Sequence, residues 1–118
     1  MPMIAFSIPI LAGKTEAFRA AYHRFVVNRR TEFEMSRGRL GVTAERGFLQ
    51  HTPNGDLAVV VFDVIDPARM LGGTASSMEP LDADFRRYLL DVFGLDLTQA
   101  PTAQPSEQVF DWCAEGRR

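Results

Sequence analysis

The sequence has one cysteine and one lysine, and each scarcity excludes something. Cys113 has no second cysteine to pair with, so an intrachain disulfide and a cysteine-rich zinc site are both excluded. Lys14 is the only lysine among 13 basic residues, so nearly all cations here are arginine guanidinium groups, whose planar fork suits carboxylates. Because 15 acidic residues make the net charge −2, nucleic acid and anionic membrane surfaces are disfavoured as partners.

Long hydrophobic runs and targeting signals are also absent from the sequence. The longest apolar runs have the length of a strand, well below the roughly 20 residues of a membrane helix. The apolar stretch at residues 4–11 has no basic residues before it and no small-residue cleavage site after it. We therefore predict a cytoplasmic protein that does not associate with membranes. With 46% hydrophobic and 24% charged residues, the 118 residues suit one folded domain spanning residues 1–118.

Hydrophobic periodicity predicts the order strand, helix, strand, strand, helix, strand. The strands are expected at residues 3–11, 45–52, 57–65 and 108–113. The first helical pattern covers residues 16–40, and the second helical region covers residues 66–93. Within that region Asp66 followed by Pro67 and Glu79 followed by Pro80 are helix starts, and Gly94 is a stop.

The two middle strands form a predicted hairpin. A four-residue loop at residues 53–56 would place Arg46 opposite Asp63 and His51 opposite Ala58. The first pair would be a cross-strand ion pair, either structural or at the mouth of a cavity.

This element order predicts an α+β protein with a ferredoxin-like βαββαβ antiparallel sheet and helices on one face. The third strand begins with the apolar run 57–62, so both of its faces are apolar. A bare apolar sheet face is not tolerated on a soluble monomer. We therefore expect a homodimer through the sheet face, in which the two sheets form a barrel.

The whole chain resembles the dimeric α+β barrel superfamily, which has this element order. The resemblance is carried by residues 8–16 (IPILAGKTE), 28–32 (NRRTE), 49–56 (LQHTPNGD) and 109–112 (VFDW). They look most like small bacterial members and, more distantly, antibiotic-biosynthesis-type monooxygenases. The superfamily includes cofactor-independent quinol monooxygenases, haem-degrading enzymes and muconolactone-type isomerases. The quinol monooxygenases imply a phenolic substrate held among aromatic and polar side chains, with Arg29, Tyr22, His51 and Trp112 as the candidate residues.

The first predicted helix has an anomaly in its apolar stripe. Arg29 falls near the centre of the stripe, and Glu32 and Ser36 fall on its flank and middle. A charge facing a core is costly unless it is paired. Either these residues line a cavity, with Arg29 holding an anionic or carbonyl group of a ligand, or the helix bends after Asn28 and the charges are solvated. Tyr22 lies on the same stripe.

Proton-transfer chemistry would rest on His51, as a general base, and on Tyr22. Trp112 and Phe110, with other strand aromatics, could bind a planar ligand. No metal site is expected, because two histidines and Cys113 do not assemble one by spacing. Residues 66–93 contain no histidine, so the axial ligand of the haem-degrading relatives is missing and no cofactor is expected.

Two functions remain open, and the sequence does not decide whether the protein is an enzyme. The first is a small-molecule-binding protein, such as a cofactor-independent oxygenase acting on a phenolic or carbonyl compound, with a small aromatic or carboxylate ligand. It predicts a partly polar pocket of roughly 300 Å³ or more that contains Arg29. The alternative is a non-enzymatic dimeric structural or regulatory module, whose cavity is filled and whose Arg29 is exposed or tied to Glu32.

Overall fold

A computed structural model describes residues 2–99 and 104–115. In this part of the chain the elements follow one another as β1 (Met3–Pro9), α1 (Thr15–Arg19), a π-helix (Tyr22–Val27), α2 (Arg30–Leu40), β2 (Val42–Thr52), β3 (Gly55–Val64), α3 (Pro67–Ser76) and α4 (Pro80–Phe93).

The strands form an antiparallel sheet in the order β1-β3-β2. β3 lies in the centre and pairs with β1 from Met3 opposite Asp63 to Pro9 opposite Leu57. Because side chains alternate along a strand, Ile4, of β1, shares one face with Phe62, its partner on β3. This architecture confirms the predicted α+β protein with an antiparallel sheet and helices on one face.

The hydrophobic core lies between that face and the helices. Alternate β1 residues are buried in it together with Ala58 and Val64 of β3. The helices contribute Phe25 of the π-helix and several α4 side chains to this core. The buried residues of this core on β1 and α4 are Ile4, Phe6, Ile8, Leu81, Tyr88, Val92 and Phe93.

The predicted starts of α3 and α4 are confirmed. The Asp66 side chain accepts a hydrogen bond from the Ala68 N–H at 3.0 Å and so satisfies one free donor of α3. α4 begins at Pro80 and ends at Gly94, whose φ of 68° is the left-handed conformation that glycine adopts without a Cβ clash. Leu95 donates its N–H back to the Leu89 carbonyl, and its side chain is buried as a cap.

The single helix predicted over residues 16–40 is broken twice. α1 gives way to the π-helix, where Asn28 donates its N–H to the His23 carbonyl, five residues earlier. At Arg29 the backbone leaves helical geometry, with φ −130° and ψ 45°. A wider turn rotates every later side chain relative to a continuous 3.6-residue helix. The predicted stripe fails at Tyr22, which is 58% exposed, whereas Phe25 and Leu40 are buried as predicted.

The hairpin between β2 and β3 is confirmed, but its predicted register is wrong. The loop has two residues, and Thr52 pairs with Gly55. His51 therefore lies opposite Asp56 and not Ala58, and Arg46 lies opposite Val61. The expected ion pair forms nevertheless, diagonally, with the Arg46 guanidinium 3.6 Å from the Asp63 carboxylate.

The last predicted strand, residues 108–113, is not formed, and residues 104–115 contain no strand. Their contact with the sheet includes one backbone hydrogen bond, from the Ser106 N–H to the Ala5 carbonyl at 2.7 Å. Phe110 and Trp112 are 85% and 79% exposed. One bond does not hold an extended segment along a sheet edge, because a ladder needs repeated pairs.

The prediction that β3 is apolar on both faces is confirmed. Ala58 and Phe62 face the helices, whereas Leu57, Val59 and Val61 alternate onto the other side, here called the outer face. Among residues 2–99 and 104–115, no helix is long and apolar enough to cross a membrane. The cytoplasmic location stays a prediction.

Candidate functional site

The candidate site lies on the helix side of the sheet, where β2 ends and α1 begins. The His51 Nδ1 is 2.7 Å from one carboxylate oxygen of Asp56. The Thr15 hydroxyl donates to the other Asp56 oxygen at 2.6 Å. Asp56 is therefore held from two sides, and it fixes the orientation of the histidine ring.

Each of these residues is placed by a local feature of the chain. The two-residue loop, followed by Gly55 with φ 125°, sets the register that brings His51 directly opposite Asp56. Directly opposite residues of antiparallel strands point to the same face, so the two side chains meet. Thr15 is the first residue of α1, and the Ile10 N–H donates to the Asp56 carbonyl at 2.9 Å, which ties the end of β1 to the same point.

The electrostatics of the site favour an ionised carboxylate. Hydrogen bonds from Thr15 and then His51 hold the pKa of Asp56 below its usual range. Partial burial opposes this shift, whereas the positive charges of His51 and Arg19 add to it.

The arrangement is able to transfer protons. With Nδ1 engaged by Asp56, Nε2 is the ring nitrogen left for a bound molecule, and the side chain is 66% exposed. An aspartate on one ring nitrogen of a histidine selects the tautomer whose other nitrogen can accept a proton. Sequence reasoning found His51 but missed Asp56 and Thr15. If the turn had been assigned a two-residue loop, Pro53 and Asn54, the pairing would have placed Asp56 directly opposite His51.

Arg29 and Glu32 are brought together, as their spacing allowed. The Arg29 guanidinium binds both carboxylate oxygens of Glu32, at 3.0 and 2.7 Å, and one oxygen of Asp84 at 2.6 Å. Asp84 lies on α4 and also binds Arg87. The hydrogen bond from Arg29 lowers the pKa of Glu32, although burial opposes the shift. These contacts tie the start of α2 to α4.

Ser36 belongs to a separate buried network around Asp82. The Ser36 hydroxyl donates to one Asp82 oxygen, and Ser77 and Arg39 donate to the other at 2.6 and 3.0 Å. Asp82 is 2% exposed, and burial would raise its pKa. The three hydrogen bonds and the charge of Arg39 outweigh burial and lower the pKa. The sequence analysis did not single out Asp82, although Leu81 beside it and Phe85 one turn later are apolar.

Tyr22 and Trp112 are both largely exposed. The Tyr22 ring meets His23 edge to face at 6.0 Å. Trp112 is exposed in the segment that follows Ser106. The aromatic surface expected for a planar ligand is divided as well, because Phe6 and Phe62 pack together in the core at 6.4 Å whereas Phe48 points to the outer face.

Two of the hollows on the surface of the described residues are lined without any of the predicted site residues. One, of about 350 Å³, lies beside the end of β1 and the end of α4, with Pro9, Leu11 and Gln104 in its lining. The other, of about 210 Å³, is lined by Arg86, Asp96 and neighbouring residues of α4 and the loop after it. Arg29 lies in neither, and it is tied to Glu32 as the non-enzymatic alternative predicted. Among the residues at positions 2–99 and 104–115, no three histidine, cysteine, aspartate or glutamate side chains are grouped to hold a metal ion.

Comparison with known proteins finds a solved structure of similar fold. No protein-family model and no curated protein sequence matches the chain. Among solved structures, the crystal structure of the L-rhamnose mutarotase from Formosa agariphila superposes with a TM-score of 0.63 over 95% of this chain and 99% of that one, at 16% identity. This likeness confirms the ferredoxin-like α+β fold that the element order predicted, and it does not extend to the monooxygenases.

Proposed function

We propose that the protein binds a small polyhydroxylated carbonyl compound, such as an aldose sugar, beside His51 and transfers a proton on it. The observation that carries the proposal is the His51–Asp56 contact of 2.7 Å, in which one ring nitrogen is anchored and the other is left for a substrate. The structural neighbour is a sugar mutarotase by name, and mutarotation needs acid–base chemistry without a redox step.

The reaction at this site is the interconversion of two anomers. His51 Nε2 accepts the proton of the anomeric hydroxyl, the bond between the anomeric carbon and the ring oxygen breaks, and water supplies a proton to that ring oxygen. The product is the open aldehyde, and the water that gave its proton is left as hydroxide. On closure the ring hydroxyl attacks the other face of the aldehyde and returns its proton to that hydroxide, while the aldehyde oxygen takes the proton back from His51. The Asp56 carboxylate stabilises the imidazolium in between.

Anomer exchange measured by NMR saturation transfer, with L-rhamnose and a panel of other aldoses, tests this function. We expect the wild-type protein to exceed the buffer rate for at least one sugar. His51→Gln should lose the acceleration, and Asp56→Asn should lower it by about 10²-fold or more, because the amide no longer selects the reactive tautomer. The matched control is His23→Gln, which changes the other, exposed histidine and should leave the rate unchanged.

Two results would overturn the proposal: no acceleration by the wild-type protein with any sugar of the panel, or full acceleration by His51→Gln. The phenol oxygenase implied by the sequence resemblance has less support, because Arg29 and Tyr22 make their contacts with Asp84, Glu32 and His23 rather than around His51.

A non-enzymatic dimeric module is the second candidate. The polar side chains that were expected to line a pocket bind other side chains of the protein instead, which favours this candidate. Arg29 binds Glu32 and Asp84, and Ser36 binds Asp82. Thermal shift measurements separate the two candidates. A shift in melting temperature with an aldose supports the binding protein, and none with any aldose, phenol or carboxylate supports the module.

A further inference from the structure

The tip of the hairpin between β2 and β3 carries an asparagine followed directly by a glycine. Asn54 is the second residue of the two-residue loop, and Gly55 is the first residue of β3. Both residues are exposed to solvent. A backbone nitrogen that follows an asparagine can attack its side-chain amide, and glycine offers the least hindrance because it has no Cβ. The tip therefore has the chemistry for a spontaneous covalent change.

The hydrogen bonds of the Thr52 hydroxyl hold the backbone on both sides of the Asn54–Gly55 peptide bond. This hydroxyl accepts a hydrogen bond from the Asn54 N–H at 3.2 Å and donates one to the Gly55 carbonyl at 2.6 Å. Neither bond involves the Asn54 side-chain amide. A Cβ built on Gly55 would meet no atom within 4 Å, so the backbone has open space here. Thr52 and Gly55 are the last pair of the hairpin, and such terminal pairs open most readily, which lets the Gly55 nitrogen approach the amide.

The other asparagine of the sequence, Asn28, is exposed as well but lies in a more restrained setting. It follows the π-helix with helical backbone angles, φ −73° and ψ −24°, and donates its N–H to the His23 carbonyl at 2.8 Å. The next residue is Arg29, whose guanidinium binds Glu32 and Asp84 at 2.7 and 2.6 Å. Attack by the Arg29 nitrogen requires the backbone to leave this geometry against both ion pairs. Asn28 is therefore an internal control for Asn54.

We propose that the Asn54–Gly55 bond is a site of spontaneous deamidation and isoaspartate formation, with water as the co-reactant. The Gly55 nitrogen attacks Cγ of Asn54, the bond between Cγ and Nδ2 breaks, and the proton of the attacking nitrogen leaves with the amide group as ammonia. Water then opens the cyclic imide, giving its hydroxyl to a carbonyl carbon and its proton to the nitrogen. Opening at Cγ leaves aspartate at position 54. Opening at the backbone carbonyl leaves isoaspartate, in which the main chain runs through the side-chain carbons.

Isoaspartate at this position acts on the contact between His51 and Asp56. It lengthens the backbone of the two-residue loop by one methylene group, and loop length sets the register of a hairpin. His51 and Asp56 form the pair next to the closing pair, so their contact of 2.7 Å is the first to be affected. The isoaspartate form should therefore hold the His51 ring less firmly. The modification itself is independent of the chemistry proposed for His51.

Incubation of the folded chain at pH 8 and pH 6, followed by trypsin cleavage and mass spectrometry, tests the site. Asn54 and Asn28 lie on separate tryptic peptides, residues 47–69 and 25–29. We expect Asn54 to be converted to isoaspartate and aspartate at least about tenfold faster than Asn28, because glycine leaves the attacking nitrogen unhindered. Conversion should be faster at pH 8, since the attacking nitrogen must lose its proton.

Two variants control this measurement. Asn54→Gln keeps an amide but needs a larger ring for the same attack, so its peptide should stay unmodified over the same period. Asn28→Gln should leave the conversion of Asn54 unchanged. No conversion of Asn54 at either pH, or equal rates at Asn54 and Asn28, would overturn the proposal.

NMR of the histidine ring tests the effect on the His51–Asp56 contact. In a His23→Gln background His51 is the one histidine left, so its ring signals are assigned without ambiguity. Ion exchange separates aged from fresh chains, because deamidation adds a negative charge. We expect the His51 ring signals to shift in the aged chain and to stay in place in an equally aged chain that also carries Asn54→Gln. Unshifted signals in a fraction that is mostly isoaspartate would contradict the effect on this contact.

Discussion

Arg37 and Glu45 join α2 to β2 through a two-point ion pair. The Arg37 guanidinium donates to the two Glu45 oxygens at 2.8 and 3.1 Å. It also lies between the rings of Phe33 and Phe85, with centroid distances of 4.3 and 4.8 Å. The guanidinium of this buried arginine thus packs against two aromatic rings, while the Glu45 carboxylate balances its charge.

Breaking this pair should destabilise the fold more than breaking an exposed one. Arg37→Met leaves the Glu45 carboxylate unpaired, and we expect a loss of about 2–4 kcal/mol in the free energy of unfolding. Arg37→Met combined with Glu45→Met should recover most of it, because no charge is then left uncompensated. Urea denaturation measures both. As the control, Arg30→Met removes an exposed contact with Glu34 and should change stability by less than about 0.5 kcal/mol.

Asp82 makes the stability of the fold sensitive to acid. Its pKa is lowered in the folded chain, so folding favours the ionised form, and the stabilisation is complete only above the unfolded pKa of about 4. It is lost as the pH falls through the lower folded pKa. Asp82→Asn should therefore be less stable than wild type at pH 7, and the difference should narrow below about pH 4. Urea unfolding at pH 7, 5 and 3 measures this. A constant difference at all three values would contradict the assignment.

Alanine substitutions at two adjacent glycines of α3 should have different effects on the stability of the fold. A Cβ on Gly73 would lie 2.5 Å from a methyl group of Leu40, which is buried, whereas a Cβ on Gly72 meets nothing within 4 Å. Gly72→Ala should stabilise the helix by up to about 1 kcal/mol. Gly73→Ala should be less stable than Gly72→Ala by about 1–2 kcal/mol, because Leu40 must move in a packed core. Thermal unfolding of the two variants gives the comparison, and equal melting temperatures would show that Leu40 moves freely.

Arg29 should act on stability and leave ligand binding unchanged. Arg29→Met and Asp84→Asn should each cost about 1–2 kcal/mol, and a double-mutant cycle should show a coupling of about 1 kcal/mol, because the two side chains bind each other. An aldose that raises the melting temperature of wild type should raise that of Arg29→Met equally. A variant of normal stability that no longer responds to the ligand would place Arg29 in the binding site, as the sequence pattern suggested.

The elements that sequence reasoning predicted well are those specified by neighbouring residues. Pro67 and Pro80 begin their helices and Gly94 ends one, because fixed or left-handed backbone geometry acts locally. The break at Arg29 matches the bend after Asn28 that was one of two alternatives from the sequence. The Arg29–Asp84 contact was not predicted, because it joins residues 55 positions apart.

The candidate site was predicted only in part for the same reason. His51 was identifiable by residue type, but its partner depended on whether the hairpin loop has two or four residues. Thr15, 41 residues from Asp56, could be placed there only by the assembled fold. The segment containing Trp112 was expected to complete the sheet, because its alternating pattern resembles a strand, yet the pattern alone does not supply the repeated backbone pairs of a ladder.

The central position of β3 has a consequence for the order of folding. Its pairing with β2 closes a two-residue loop, whereas its pairing with β1 joins residues such as Met3 and Asp63 that are 60 positions apart. Closing the long connection costs more chain entropy, so the hairpin should form early and β1 should dock late. The strand nearest the amino terminus would then wait unpaired during synthesis until β3 has been made.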